Sequence, residues 1–461
     1  MRGNQTQGIH GEWSNALVFV LAAVGSAVGL GNIWKFPYMA GENGGGAFVL
    51  VYLLCIAVIG LPILVAEITL GRRARCSPIH AFRNLAAQSG ASPGWRYIGW
   101  LGVFTGFVIL SFYSVVGGWA IAYTLRAGQG LFSGIAADEA GALFGGLLGS
   151  PPEMIAWHTL FMAAILVIVA RGVHSGLERA VTFLMPALFV LLAMLVGYAM
   201  AIGDFDRAVT FLFRPDWSAL NAEGVLQALG HAFFTLSLGI GCMLTYGAYL
   251  PARASILGTA VVIGITDTVV ALFAGLAIFP VVFVAPGVEA GAGPGLLFQT
   301  LPYAFGQMPA GHLFGFLFFL LVTFAAVTSG ISLVEPATAY LVERRGWGRW
   351  RACGLLCLGI WLLGLGTVFS FNRWADFTPL AFVGALADRN VFELLDGLTS
   401  GLLLPIGGFG IAIFAGWFAA REVLAEELRT GSWRFVVWRW AVRVVSPVAV
   451  ALILLHGLGV I

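Results

Sequence analysis

Asp267 lies in the apolar run ITDTVVALFAGLAIF, far from any polar connection. A lone carboxylate at that depth of a hydrocarbon layer is costly, so such residues face a bundle interior and mark paths for ions and substrates. Two other stretches carry polar side chains at similar depth. LVFVLAAVGSAVGLGNIWKFPY holds Gly25, Gly29 and Gly31 beside Asn32, and ALGHAFFTLSLGIGCMLTYGAY holds Gly239 and Gly241 beside Thr235 and Ser237. Each glycine in a helix interior costs about 1 kcal/mol against alanine. Grouped glycines next to amide or hydroxyl residues therefore indicate helices that open there. Open backbone inside hydrocarbon is tolerated only where protein or a polar cavity satisfies it. Glycines alone would equally suit a packing seam between helices; Asn32, Thr235 and Ser237 in the same windows favour a binding site. The chemistry is binding rather than catalysis. An intramembrane protease needs HExxH, a GxGD aspartate pair or a Ser–His dyad at depth. The chain has no HExxH, GLGN ends in Asn32, and His174–Ser175–Gly176 falls in a connection.

The elements that must position these residues are membrane spans. Of 461 residues, 59% are hydrophobic and 10% charged. A soluble chain carries about 25% charged residues, so these surfaces face lipid. Runs of about 20 apolar residues, the length of a spanning helix, start near Ala16, Gly46, Gly99, Met154, Leu177, Val225, Ile256, His312, Cys353, Val391 and Trp440. Eleven spans are predicted, joined by short connections such as 71–97 and 343–351 and by longer loops at 127–153 and 204–223. The first run lacks the layout of a cleaved signal and is expected to be retained.

Charge orients the chain. The 24 basic residues are Lys35 and arginines. With the N-terminus inside, Arg72, Arg73, Arg75, Arg83, Arg344, Arg345 and a dozen fewer clustered arginines fall on inner segments. Only Arg126, Arg207, Arg214, Arg373 and Arg389 fall outside. Positive residues concentrate on the cytoplasmic side, so the N-terminus is expected in the cytoplasm and, after an odd number of spans, the C-terminus outside. Net charge of +2 points to no nucleic-acid partner. The five cysteines read as packed free thiols.

The two interruptions fall in spans one and six. Five spans separate them, so the second set enters the membrane from the opposite side, as in an inverted repeat with its binding site between two broken helices.

At these segments the chain resembles the neurotransmitter:sodium symporter family, in its bacterial amino-acid branch with eleven transmembrane helices. The matching words are GSAVGLGNIWKFPY with ENGGGAFVLVY, then GLPILVAEITLGR, HAFFTLSLGIG and VTSGISLVEP. They run in family order across spans one to eight, with weaker similarity to span ten. The resemblance implies an all-α polytopic membrane protein with a 5+5 inverted-repeat core. Residues 1–202 form the first repeat, 203–420 the second, and 421–461 an additional span. It also implies sodium-driven import of an amino acid by alternating access. A channel or a non-transporting sensor on the same fold is the alternative.

The same resemblance assigns residues. Backbone amides of Leu30 and Gly31, with the Tyr113 hydroxyl, would hold the substrate carboxylate; carbonyls of Ala27 and Phe234, with Ser237, would take its ammonium. The monoamine branch has an aspartate where this chain has Gly29, which favours substrates bringing their own carboxylate. Ile109, Phe234, Ile240 and Leu333, bounded by Ser26, Ser237 and Ser329, would form an uncharged pocket for a hydrophobic side chain. One sodium would bind Ala27, Asn32, Thr235, Asp267 and the substrate carboxylate. A second would bind Gly25, Val28, Ala325, Thr328 and Ser329. Asp267 would supply the negative charge that chloride supplies in some relatives, so no chloride requirement is expected. Lys35 and Asp396 stand where relatives pair arginine with aspartate as an outer gate, with His231 positioned to bridge them and Phe234 and Tyr113 forming a lid beneath. Trp13 would plug the inner vestibule. Glu343 would be the inner-gate acid, with His10 at the place of its usual arginine partner and Arg2 as a substitute. Gly176 and Pro186 resemble the device that unwinds span five. Glu67 would satisfy amides freed in span six, and Glu335 receives no role.

Overall fold

A computed structural model describes residues 11–285, 295–381 and 388–457. Among these, nine helices are long and apolar enough to cross a membrane, and a bent pair makes a tenth candidate. The nine are Gly46–Ala74, Pro93–Gly128, Pro151–Ala170, Val173–Ile202, Ile256–Val284, Gly311–Arg345, Arg349–Phe369, Val391–Phe418 and Ser432–Gly457. The bent pair is Ala16–Ala27 with Gly31–Glu42, meeting at 51°. The stretch between residues 222 and 248 is built differently, as Ala222–Thr235 and Cys242–Ala248 with irregular backbone between. Helix starts follow from local chemistry. Asn15, Asn221 and Ser255 cap the helices behind them by accepting the Val18, Gly224 and Gly258 amides at 3.0, 2.8 and 3.2 Å, groups that no helical turn can satisfy.

The Pro93–Gly128 and Gly311–Arg345 helices pack along each other and against the broken segments. Small residues permit the close approach. A Cβ on Gly106 would stand 2.8 Å from the Leu333 carbonyl, and one on Gly102 would stand 2.9 Å from that of Ile240. Large apolar side chains such as Leu54, Phe183, Ile265, Leu362 and Val448 are exposed on the outside, as a lipid-facing surface requires.

Several boundaries differ from the sequence expectation. The last spanning helix begins at Ser432 rather than Trp440, because the arginine-containing run SWRFVVWRW winds ahead of its apolar core. The connections are also more structured than expected. The 71–97 connection contains the amphipathic helix Pro78–Gln88, and the loops at 127–153 and 204–223 contain Ala137–Leu148 and Phe205–Phe213. The residues between Gly176 and Pro186 are wound: a wide turn over Val173–Glu178 runs into the Arg179–Ile202 helix. Proline lacks only one donor, and the rest of the ladder closes around it.

Candidate functional site

The first helix stops at Ala27 because Val28 turns extended, at φ −72° and ψ 96°. That leaves carbonyls on its last turn to be satisfied from elsewhere. The Ser329 hydroxyl lies 3.2 Å from the Gly25 carbonyl, 3.3 Å from that of Ser26 and 3.4 Å from that of Val28. Ser237 donates to the Ser26 carbonyl at 2.9 Å. Beyond the break, the Leu30 amide points at the Tyr113 hydroxyl, 3.4 Å away, and the Gly29 amide donates to Asn32 Oδ1 at 3.3 Å.

The second interruption covers 236–241. Ser237, Gly239 and Gly241 have φ of +53°, +82° and +82°, a region glycine enters freely and serine rarely does. Gly239 allows no side chain, since its Cβ would meet the Leu404 carbonyl at 2.5 Å. Its amide donates to Glu67 Oε1 at 2.8 Å, so a fully buried carboxylate from the neighbouring helix stands in for the missing turn.

Between the two breaks lies a small cavity of about 30 Å³. Ser26, Ala27, Leu30 and Gly31 line it from the first segment, and Phe234, Ser237 and Ile240 from the second. Ile109 and Tyr113 enter from the Pro93–Gly128 helix, and Ser329 and Leu333 from Gly311–Arg345. Gly29 and Ser332 complete the wall. Ser332 was not among the sequence candidates; it accepts a hydrogen bond from Ser26 at 2.8 Å and sits one turn after Ser329, which was the available signal. The Phe234 carbonyl accepts the Ser237 amide at 3.0 Å and the Leu236 amide as well, where its helix ends.

Beside the cavity, Asn32, Thr235 and Asp267 form a buried oxygen-rich cluster. The Asn32 amide donates to Asp267 Oδ1 at 2.9 Å. The Thr235 hydroxyl lies 3.1–3.2 Å from both Asp267 carboxylate oxygens and from Asn32 Oδ1, and Tyr52 donates to Asp267 Oδ2 at 3.3 Å. At the second expected ion position, Gly25 and Val28 meet Ser329. Thr328 turns back on its own helix, 3.1 Å from the Phe324 and Ala325 carbonyls, as hydroxyls inside helices commonly do.

On one side the cavity is covered by Phe234. Lys35 Nζ lies 4.6 Å above its ring centroid and 3.5 Å from Asp396 Oδ1. His231 does not bridge this pair. Its ring packs against Tyr52 and Phe36 at 5.4 and 6.0 Å, and neither ring nitrogen has a hydrogen-bond partner among the described residues. On the opposite side Trp13 is fully buried, its indole donating to the Tyr246 carbonyl at 3.1 Å. Glu343 accepts the Ser77 amide at 2.7 Å and meets His80 Nδ1 at 2.6 Å. His10 and Arg2 lie outside the described residues. Glu335, for which the sequence suggested nothing, pairs with Arg349 at 2.5 Å and accepts the Tyr249 hydroxyl at 2.8 Å. It ties three helices together beneath the cavity.

Comparison with known proteins places this arrangement. Residues 10–132 and 149–460 match the profile of the sodium:neurotransmitter symporter family. The sodium-dependent transporter YhdH of Bacillus subtilis is 38% identical over 454 residues, which cover 98% of each chain. A sodium-dependent transporter of Haemophilus influenzae is 34% identical, over 97% of this chain and 98% of its own. The crystal structure of MhsT in complex with L-phenylalanine superposes with a TM-score of 0.88 at 40% identity, covering 97% of this chain and 99% of that one.

Proposed function

The chain belongs to the sodium:neurotransmitter symporter family, and on that premise we propose that it imports a neutral, hydrophobic L-amino acid together with Na⁺ by alternating access. One observation carries this reading: the residues expected to recognise substrate line a single cavity at the meeting of two broken helices, directly beside the Asn32–Thr235–Asp267 cluster. A zwitterion leaving water needs donors for its carboxylate and acceptors for its ammonium. The Leu30 and Gly31 amides and Tyr113 supply the first; carbonyls of Ala27 and Phe234, with Ser237, supply the second. The side-chain wall of Ile109, Ile240 and Leu333 is apolar and without charge, and the similar MhsT binds L-phenylalanine. The cavity as it stands has room for one or two waters, so an aliphatic or aromatic side chain enters only if Phe234 and the gate above it move aside.

Sodium, a hard cation, takes oxygen ligands, as calcium and magnesium do. The first site is Ala27, Asn32, Thr235 and Asp267 with the substrate carboxylate. Sharing that carboxylate makes ion and amino acid raise each other's affinity. The second site is Gly25, Val28, Ala325, Thr328 and Ser329; the convergence of Gly25, Val28 and Ser329 supports it. Asp267 supplies fixed negative charge, so transport proceeds without chloride.

With 222–248 read as one interrupted crossing, the proposed chain has eleven spans, arranged as two inverted repeats of five, over 1–202 and 203–420, and one additional helix. The arginine distribution supports an N-terminus in the cytoplasm and a C-terminus outside the plasma membrane, with Lys35, Asp396 and Phe234 as the outer gate and Trp13 and Glu343 on the inner side.

The test is uptake into proteoliposomes under an imposed Na⁺ gradient, with a competitor panel of hydrophobic, polar and charged amino acids and with gluconate replacing chloride. Concentrative, Na⁺-dependent uptake competed by leucine or phenylalanine and indifferent to gluconate is expected. Binding without uptake would mark a sensor, and large unitary currents a channel.

A further inference from the structure

A second cavity, of about 730 Å³, lies on the side of Glu343. It is bounded by the Pro78–Gln88 helix, the start of Pro93–Gly128 and the end of Gly311–Arg345. Three exposed arginines converge on it: Arg83, Arg96 and Arg344. Arg96 donates to the Tyr97 hydroxyl at 3.2 Å. Arg83 and Arg344 make neither hydrogen bond nor ion pair among the described residues. The one carboxylate in the wall, Glu343, is already engaged by Ser77 and His80. The cavity therefore presents excess positive charge with unspent guanidinium donors, the groups that best match phosphate oxygens.

Apart from Ile79, the uncharged part of the wall is aromatic. Tyr340 packs on Trp100 at 4.9 Å and on His80 at 5.3 Å. Tyr97 is 61% exposed and Trp100 43% exposed on the same helix flank. Tyrosine and tryptophan concentrate at the headgroup level of a bilayer. The volume exceeds what inorganic phosphate occupies, and the exposed aromatic flank offers an acyl chain a surface leading away from the arginines.

We propose that this cavity binds the phosphate-bearing headgroup of an anionic phospholipid, held by Arg83, Arg96 and Arg344, with the acyl chains laid along Tyr97 and Trp100. Its placement on the inner leaflet rests on the charge-based topology above, but the binding itself does not.

Native mass spectrometry of the full chain in neutral detergent tests it, with phosphatidylglycerol, phosphatidylcholine and inorganic phosphate as probes. The wild type should retain phosphatidylglycerol where phosphatidylcholine is lost. Arg83→Gln with Arg344→Gln should lower that retention about ten-fold or more, given the contribution of each basic residue at an anionic surface. Arg83→Lys with Arg344→Lys should keep most of it. A charge-matched pair elsewhere, Arg253→Gln with Arg434→Gln, should leave it unchanged, and millimolar phosphate should not displace the lipid. Equal retention in the Arg83/Arg344 and Arg253/Arg434 glutamine variants would overturn the proposal. So would displacement by phosphate, which would mark a site for a free anion. Because the readout is made without a gradient or amino acid, it stands or falls apart from the transport reading.

Discussion

The Asn32 side-chain amide donates to Asp267 twice, to the carboxylate at 2.9 Å and to the backbone carbonyl at 3.1 Å. That pair of bonds ties the segment just past the first break to the middle of the Ile256–Val284 helix. It also leaves Asn32 Oδ1 on the same side as Thr235 and the carboxylate oxygens. Asp267→Ala removes the only charge from this cluster. We expect it to raise the Na⁺ concentration for half-maximal substrate binding by about an order of magnitude or more, since hydrogen bonds to charged groups contribute about 1.5–3 kcal/mol. Linkage requires substrate affinity at fixed, low Na⁺ to fall in step. Radioligand binding over a Na⁺ series measures both, and an unchanged half-saturation would remove Asp267 from the ion site.

A side chain at Gly29 would crowd the cavity wall. A Cβ there would stand 2.5 Å from Ser329 Oγ and 3.0 Å from the Tyr113 hydroxyl. Gly29→Ala should cost about 1–3 kcal/mol as an overpacked site, and it should weaken amino-acid binding more than it weakens the fold. Gly354→Ala, where nothing lies within 4 Å, is the matched control. Equal substrate affinity in the two variants, with both folded, would contradict the placement of the cavity.

The site was legible because membrane depth makes polar residues conspicuous. Asp267, Asn32 and Thr235 stand out against apolar runs, and the glycines beside them show where backbone opens. The resemblance supplied Ile109, Leu333 and the other apolar wall positions, which look like any core residue. Other features were hidden for identifiable reasons. Glu335 finds Arg349 across a helix junction, fourteen residues on, and no helical or strand period links them. His231 looked free to reach the gate, but its ring is captured by Phe36 and Tyr52. The loop helices were missed because their apolar faces are too short to register as spans.

Glu67 serves the backbone, which separates its carboxylate oxygen from its charge. A glutamine side chain at this position would still offer a carbonyl oxygen to the Gly239 amide, whereas an apolar one would leave that amide buried and unpaired. Glu67→Leu is expected to destabilise by about 1–3 kcal/mol and Glu67→Gln by much less. Thermal unfolding in detergent, followed by tryptophan emission, distinguishes them. Equal losses would show that the charge itself is required.

Cys76 lies just past the Gly46–Ala74 helix. Burial, with the nearby Glu343 adding to it, pushes its thiol up to about 12. A thiol with a pKa raised above its ordinary value is less ionised at neutral pH, and only the thiolate attacks maleimide. Cys76 should therefore react with N-ethylmaleimide more slowly than a free cysteine at pH 7 and accelerate steadily as pH rises. Mass-spectrometric labelling rates measure this, and Glu343→Gln should speed the reaction. Labelling at the rate of free cysteine would mean that the Glu343 side of the protein stands open.

Lys35 Nζ lies 4.6 Å over the Phe234 ring and 3.5 Å from Asp396 Oδ1, the two side chains 24% and 34% exposed. Such half-exposed pairs contribute about 0–1 kcal/mol, and a lysine meets a carboxylate at one point where an arginine meets it at two. Lys35→Ala should therefore speed substrate dissociation only about five-fold at most, and added salt should shrink the difference. Lys35→Arg should slow dissociation if its longer fork reaches both carboxylate oxygens. Phe234→Ala removes the ring that covers the cavity and should accelerate release far more than either. Dilution-induced release of labelled amino acid orders the three variants. A Lys35→Ala effect as large as that of Phe234→Ala would mean that the ion pair, rather than the ring beneath it, holds the site closed.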